Sequence, residues 1–157
     1  MKQRINDFGK AQSAMKALNG LGIYLAKSPI EKSLLDLIYF RVSQVNGCAY
    51  CLDMHSKDLR AAGETEQRLY VLDAWREGPF YSDRERAALA WAEAVTKLTG
   101  SQVPDDVYEQ ARSQFSEAEL IDLTLAVVTI NSYNRINIAF RITAGGYQVG
   151  MHTAQSN

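Results

Sequence analysis

The sequence feature that most constrains this chain is a Cys-x-x-Cys-x-x-x-His pattern in its first half. Cys48, Cys51 and His55 form the pattern, and they are both cysteines of the protein and one of its two histidines. The stretch from Cys48 to Gly63 contains neither proline nor another glycine, and Gly63 is well placed to end a helix. The pattern therefore predicts one helix that carries all three side chains.

The predicted start of this helix is Asn46, because asparagine is a favoured N-cap residue. Gly47 would then be the first helical residue and Cys48 the second. At about 100° per residue, Cys48, Cys51 and His55 fall within an arc of roughly 60°. The same stripe carries three apolar residues, Leu52, Leu59 and Ala62. We therefore expect this face to point into the protein.

Two thiols on one helical face predict redox chemistry. In the first turn of a helix, unpaired backbone N–H groups and the helix dipole favour a thiolate. Cys48 and Cys51 are three residues apart, so their backbones lie roughly 5 to 6 Å apart, near the separation that a disulfide needs. His55 lies one turn after Cys51 and can accept its proton. We expect a dithiol site in which either thiol attacks and the other resolves.

A carboxylate partner for His55 is available on the preceding helix. In an antiparallel hairpin that turns at residues 46–47, Asp36 lies about ten residues before the turn and His55 about eight after it, an offset near 3 Å. Asp36 would then orient His55 or accept its proton, directly or through one water. The alternative, a solvated surface carboxylate, fits the spacing equally well.

The composition narrows the class of protein. The chain has 157 residues, 46% hydrophobic and 22% charged, which suits one globular domain over residues 1–157. The net charge of −1 gives no reason to expect nucleic acid or an anionic membrane as a partner. No secretory signal or membrane-spanning run is present, so we expect a cytoplasmic protein. In that compartment a Cys-x-x-Cys pair is more often catalytic or metal-binding than structural.

Capping signals along the chain predict an all-α fold. Capping boxes at residues 28–31, 82–85 and 116–119 start helices, and the first of them has proline at its first helical position. The predicted helices cover residues 6–19, 29–46, 47–62, 65–77, 83–99, 104–115 and 117–145, and the second and third form a central hairpin. Gly20 and Gly22 are expected to end the first helix. The tail after Gly146, which contains His152, is expected to be loose.

The last predicted helix is apolar around nearly its whole circumference. Its apolar residues are Leu120, Ile121, Leu123, Leu125, Val127, Val128, Ile130, Ile136, Ile138 and Phe140. A helix of this kind must be covered on all sides, and a second subunit is the simplest cover in a small domain. Polar residues interrupt this surface at Asn131, Asn134, Arg135 and Asn137. They form either an interhelical or intersubunit hydrogen-bonded cluster, which we favour, or a polar wall of the active site.

These motifs resemble those of a known family. From Asp36 to His55 the chain reads Asp-x4-Arg-Val-Ser-Gln-Val-Asn-Gly-Cys-Ala-Tyr-Cys-x3-His. This run resembles the carboxymuconolactone decarboxylase superfamily, specifically its alkylhydroperoxidase (AhpD-like) branch. Ala-Leu-Ala-Trp-Ala-Glu-Ala at residues 88–94 and Asn-x2-Asn-Arg-Ile at residues 131–136 are also similar to the family. The resemblance covers residues 14–144.

The resemblance implies an all-helical AhpD-like domain that assembles as a dimer, trimer or hexamer. In redox members the cysteine pair reduces hydroperoxides without a bound cofactor. An external dithiol such as dihydrolipoamide then re-reduces the pair, which implies a lipoyl-bearing protein or thioredoxin as partner. A glutamate and the histidine after the second cysteine form a proton relay. By position, the cysteines are Cys48 and Cys51, the histidine is His55, and Asp36 stands at the glutamate position.

Two departures from the family pattern bear on activity. Asp36 is one methylene shorter than glutamate, and Tyr50 stands where the best-known peroxidase members carry a second histidine. Both differences favour a modest peroxidase or a different natural oxidant. Typical decarboxylases of the superfamily lack the cysteine pair, which argues against decarboxylation here.

Two other readings compete with the dithiol peroxidase. Cys48, Cys51 and His55 supply three metal ligands, but the sequence offers no fourth cysteine or histidine nearby. A non-redox lyase or binding member of the superfamily would keep the cysteines as inert core thiols. Metal content and thiol titration separate these alternatives.

Overall fold

The computed structural model describes residues 2–5 and 8–152, and the regular elements within them are all helical, as predicted. The α-helices are α1 (Gln12–Leu25), α2 (Lys32–Asn46), α3 (Ala49–Ala61), α4 (Glu66–Tyr70), α5 (Asp83–Lys97), α6 (Asp105–Gln114) and α7 (Glu117–Phe140). Short 3₁₀ helices cover Phe8–Ala11, Leu72–Ala74 and Thr99–Ser101. The all-α, AhpD-like fold class is confirmed.

Helix α2 lies at the centre of the fold and packs against α3, α5 and α7. Its buried apolar side chains are Leu34, Leu35, Leu37, Ile38, Phe40 and Val42. Fully burying a side chain of this size stabilises the fold by about 1.5 to 3 kcal/mol. The predicted hairpin of α2 and α3 is therefore built into the core.

The turn between α2 and α3 begins the cysteine helix two residues later than predicted. Gly47 adopts the left-handed conformation (φ 68°), and the N–H of Cys48 donates to the Ser43 carbonyl at 3.0 Å. This is a Schellman ending of α2, which glycine permits because it has no Cβ. Asn46 is thus the last residue of α2, not the N-cap of α3, and Cys48 is that N-cap.

The predicted end of the first helix and the predicted start of the second are also wrong. Helix α1 continues through Gly20 and Gly22 to Leu25, because a helical glycine costs only about 1 kcal/mol and α1 is packed against α7. The predicted start at residue 6 lies outside the described residues. Helix α2 begins at Lys32 instead of residue 29, and the Glu31 carboxylate pairs with Arg84 on α5.

Later signals mostly predict the structure correctly. Two of the three predicted capping boxes form, Ser82 with Glu85 and Ser116 with Glu119. The first, Ser28 with Glu31, does not form, since α2 begins only at Lys32. The segment predicted as one helix over residues 65–77 divides into α4 and the second 3₁₀ helix. Its predicted core residues, Leu69, Leu72 and Trp75, are nevertheless buried.

A buried charge cluster fixes α2 to α5. The Glu93 carboxylate accepts hydrogen bonds from Arg41 at 2.8 Å, from the Trp75 indole at 2.9 Å and from Arg76 at 2.8 Å. Arg41 and Glu93 are both buried, and each has charged partners, as buried ions require. The cluster holds the C-terminal half of α2, which leads into the cysteine turn.

Helix α7 ends at Phe140, five residues before the predicted end, because Arg141 turns into the left-handed conformation (φ 55°). The chain then folds back over α3 instead of forming a loose tail. The Gly145 N–H donates to Asp53 at 2.9 Å, and the Tyr147 hydroxyl donates to Asp58 at 2.8 Å. Residues 153–157 of the predicted tail lie outside the described residues.

The apolar surface of α7 is covered mainly by the same chain. Leu120, Leu123, Val127 and Ile130 are buried against neighbouring helices. Three others remain open: Ile121, Val128 and Ile138 are 62%, 45% and 46% exposed. The predicted oligomer stays a prediction, and any subunit contact on α7 would use these open residues. Among the described residues, no helix combines the length and apolar character that crossing a bilayer requires.

Candidate redox site

The two cysteines lie together at the start of α3. Cys48 is its N-cap, and Cys51 is its third residue. Their sulfur atoms are 2.8 Å apart, both residues are only 1% exposed, and both are free thiols. The structure thus brings the two sulfurs together on an inward-facing helical surface, as the spacing predicts.

The two thiols differ in their electrostatics. The pKa of Cys51 is lowered to about 7, chiefly because the Cys48 thiol donates a hydrogen bond to it. Burial opposes this change, whereas hydrogen bonds from Asn137, Asn134 and Ser43 add to it. The pKa of Cys48 is raised, because its proton is held in the bond to Cys51 and because it is buried. When the pair loses one proton, the negative charge therefore lies on Cys51 and the remaining proton on Cys48.

The asparagines of α7 supply part of this environment. Asn137 Nδ2 donates to Cys51 Sγ at 3.2 Å. Asn134 Nδ2 donates to Ser43 Oγ at 3.0 Å, and Asn134 Oδ1 accepts from Asn46 at 2.9 Å. The favoured interhelical cluster is present, and Asn137 extends it to the reactive sulfur. The three-residue spacing of Asn131, Asn134 and Asn137 was the sequence signal for a polar stripe facing the cysteines.

His55 lies on the same face of α3, 8% exposed, with its ring 5.6 Å from that of Tyr39. Burial lowers the pKa of His55 to about 4, and the positive charge of Lys32 lowers it further. The imidazole is therefore neutral at pH 7. Its Nε2 atom has no hydrogen-bond partner among the described residues. The proton-acceptor role toward Cys51 stays a prediction, since that sulfur takes its hydrogen bonds from Cys48 and Asn137.

Asp36 is half-buried on α2 and forms an ion pair with Lys32. Burial raises the pKa of Asp36, and the Lys32 ammonium only partly offsets this effect. The Lys32 charge acts on both Asp36 and His55, so the three groups lie in one region. The Asp36 carboxylate is not the partner of His55 Nε2, which is unpaired. A relay between them would need a bridging water and stays a prediction.

Tyr50, between the cysteines, lies on the outer side of α3. Its hydroxyl is 3.0 Å from His152 Nε2, and the His152 ring stacks on Tyr147 at 5.5 Å. Tyr50, which departs from the family pattern, therefore packs against the C-terminal segment. Within residues 2–5 and 8–152, no three His, Cys, Asp or Glu side chains cluster closely enough to hold a metal ion. The metal-site reading therefore gains no support from the geometry.

Solved structures with this fold have more than one chemistry. The apo debrominase Bmp8 shares the fold at a TM-score of 0.78 and 23% identity, over 88% of this chain and 75% of that one. A crystal structure from Agrobacterium tumefaciens is more similar, at a TM-score of 0.88 and 40% identity, over 93% of this chain and 100% of that one. It is a protein of unknown function for which a role in antioxidant defence, as an AhpD protein, has only been suggested.

Sequence comparison places the chain in the same group. The carboxymuconolactone decarboxylase family model matches residues 9–94. The uncharacterized protein YdfG of Bacillus subtilis is 45% identical over 139 residues, 88% of this chain and 95% of the relative. The alkyl hydroperoxide reductase AhpD of Mycobacteroides abscessus is 43% identical over 56 residues, 35% of this chain and 31% of that protein. The chain belongs to the carboxymuconolactone decarboxylase family, in its AhpD-like branch.

Proposed function

We propose that this protein is a thiol-dependent peroxidase or disulfide reductase that works through Cys48 and Cys51. The observation that carries the proposal is a buried pair of free thiols, 2.8 Å apart, at a helix start. The lowered pKa of Cys51, about 7, supports it, because thiolate is the reactive form.

The proposed cycle oxidises the two thiols to a disulfide. A thiolate attacks one oxygen of the hydroperoxide, so that an S–O bond forms, the O–O bond breaks and an alkoxide leaves. The alkoxide takes up one proton and becomes an alcohol. The second thiol then attacks the sulfenic sulfur, the S–S bond forms, and the hydroxyl leaves as water with that thiol's proton. An external dithiol returns two electrons and two protons and becomes a disulfide itself.

His55 and Asp36 are proposed to move protons during this cycle. A neutral imidazole with an unpaired, buried Nε2 is suited to bind a water or the hydroperoxide, because an unsatisfied buried nitrogen is costly. Burial is the main cause that raises the pKa of Asp36, so this carboxyl holds a proton more readily than an exposed aspartate does. The side chains would act through a shared water.

The reductant, the location and the assembly are proposed on family resemblance. Dihydrolipoamide, a lipoyl-bearing protein or thioredoxin would supply the electrons in the cytoplasm, and the protein would act as a homo-oligomer. The proposed cycle needs no resident cofactor, since oxidation of the two thiols to a disulfide supplies the two electrons that reduce the hydroperoxide. The exposed apolar residues of α7 support a subunit contact.

The test is hydroperoxide turnover with dihydrolipoamide, thioredoxin and glutathione compared as donors. We expect turnover with a dithiol donor and its loss in Cys48→Ser and in Cys51→Ser. Mass spectrometry after mild peroxide should show loss of two hydrogens from the peptide that contains both cysteines. Stable sulfinic acid at one cysteine with no disulfide, or turnover that survives both substitutions, would contradict the proposed function.

A further inference from the structure

We propose that Asn137 is a catalytic residue of this site. Its side-chain amide donates to Cys51 Sγ and, together with the Cys48 thiol, holds negative charge on that sulfur. The role of Asn137 rests on the proposed peroxidase chemistry. It adds a fixed donor on α7 that the proposed cycle does not otherwise use.

The geometry around the two sulfurs is asymmetric. Asn137 Nδ2 lies 3.2 Å from Cys51 Sγ, and an amide NH₂ group can only donate a hydrogen bond. Cys51 must therefore be the acceptor in this contact. In the 2.8 Å contact between the sulfurs the Cys48 thiol is the donor, so Cys51 accepts two hydrogen bonds. Hydrogen bonds to an ionised acceptor are about twice as strong as neutral ones, so both contacts favour the thiolate at Cys51.

The helix dipole, burial and His55 do not distinguish the two sulfurs. Cys48 and Cys51 both lie at the start of α3, so the helix dipole acts on each of them. Both are equally buried at 1% exposure, so burial does not distinguish them. His55 is neutral at pH 7, because burial lowers its pKa to about 4, and it carries no charge that would stabilise a thiolate.

Asn137 is held in place by its own helix. It lies one turn before the end of α7, and the N–H groups of Arg141 and Ile142 cap the carbonyls of that last turn. Arg4 adds hydrogen bonds to the Phe140 and Ala139 carbonyls at 2.9 and 3.0 Å. A donor on a rigid helix end costs little reorganisation when charge develops on the sulfur.

In the proposed step, Cys51 sulfur gains oxygen from the hydroperoxide and becomes a sulfenic acid. Cys48 sulfur then bonds to Cys51 sulfur, and its proton leaves with the hydroxyl as water. Asn137 makes its contact with the sulfur that changes charge, and neither gains nor loses a proton. The amide is thus a fixed donor that stabilises negative charge on sulfur, as the donors of an oxyanion hole do on oxygen.

The experiment measures thiol reactivity without peroxide. Reduced protein is alkylated with iodoacetamide between pH 5 and 10, and mass spectrometry follows Cys48 and Cys51 separately. In the wild type we expect Cys51 to react first. Asn137→Leu has nearly the same shape and no donor, and it should slow alkylation of Cys51 at pH 7 by about tenfold, the typical effect of one hydrogen bond to a charged group. Asn137→Gln, which keeps the amide, should restore part of the rate.

Matched variants keep the test decisive. Ser132→Ala removes a hydroxyl on the same helix that donates to the Val128 carbonyl, and it should alkylate like the wild type. If Asn137→Leu does not fold, Asn137→Asp serves instead, because an ionised carboxylate cannot donate and should slow Cys51 at least as much. Wild-type alkylation of Cys51 in Asn137→Leu or Asn137→Asp, or Cys48 reacting first in the wild type, overturns the assignment.

A second measurement separates this role from the peroxidase function. After peroxide, a sulfenic-acid probe should label Cys51 in Cys48→Ser and leave Cys48 unlabelled in Cys51→Ser. The reverse labelling overturns the assignment of Cys51 while the peroxidase survives. Loss of both labels and of turnover, with the Asn137 effect on alkylation intact, overturns the peroxidase and leaves the choice of thiolate standing.

Discussion

The buried neutral His55 should make the protein sensitive to mild acid. Its ordinary pKa of 6.5 is lowered to about 4 in the folded protein, chiefly by burial. Between these values the unfolded chain binds a proton at this position and the folded chain does not. The contribution of neutral His55 to the free energy of unfolding is therefore fully present above about pH 6.5 and is lost as the pH falls towards 4.

The magnitude follows from that interval. At about 1.4 kcal/mol for each pH unit, the step from 6.5 to about 4 reduces the free energy of unfolding by roughly 3 kcal/mol. This is a large part of the 5 to 15 kcal/mol that is typical of a domain. His55→Phe should remove this contribution, because phenylalanine keeps an aromatic ring beside Tyr39 and has no proton to bind.

Urea unfolding at pH 7, 6, 5 and 4.5 measures the effect. Other carboxylates also titrate in this range, so the informative quantity is the difference in pH dependence between wild type and His55→Phe. We expect the wild type to lose stability more steeply with acid, by up to roughly 3 kcal/mol over the interval. Parallel pH profiles of the two proteins would refute a neutral, desolvated His55 in the folded state.

The remaining predictions concern the relay and the assembly. If Asp36 is a general acid–base group, Asp36→Asn should keep the fold and lower turnover by about 100-fold or more. Asp36→Glu should match or exceed the wild-type rate. Wild-type rates in both variants would show that Asp36 is a surface charge with no part in the relay. Ile138→Glu should lower the assembly state seen by sedimentation and leave the fold intact, because Ile138 is 46% exposed. Val127 is fully buried within the chain, so Val127→Glu should unfold the protein by burying an unpaired carboxylate. A folded Val127→Glu variant with an altered assembly state would contradict this prediction.

The sequence was informative where local chemistry decides the structure. Two of the three predicted capping boxes, at Ser82 and Ser116, form, because side chain and backbone partners lie within one turn. The inward face with both cysteines and His55 also follows from spacing alone. These features depend on helical period and on near neighbours, which a single sequence contains.

The errors arise where distant contacts decide. Asn46 is a good N-cap by residue type, but it ends α2 and donates to Asn131 and Asn134, which are 85 and 88 residues away. The loose-tail prediction failed because Tyr147 is buried against α3 by contacts that span 89 residues. The polar stripe on α7 suggested that Asn137 could lie near the cysteines, but the sequence did not show that its amide contacts Cys51 Sγ.

The hydrogen bond from Asn137 to Cys51 also sets when the site becomes reactive during synthesis. Its donor is encoded 86 residues after its acceptor, so at about 5 to 20 residues per second the cysteines are made roughly 4 to 17 seconds before Asn137. Until α7 docks, Cys51 lacks this donor, and the nascent chain carries two ordinary thiols that are mostly protonated at neutral pH. Thiols in that form oxidise slowly. Under the proposed role of Asn137, the full reactivity of Cys51 therefore develops only after α7 has been made and has docked.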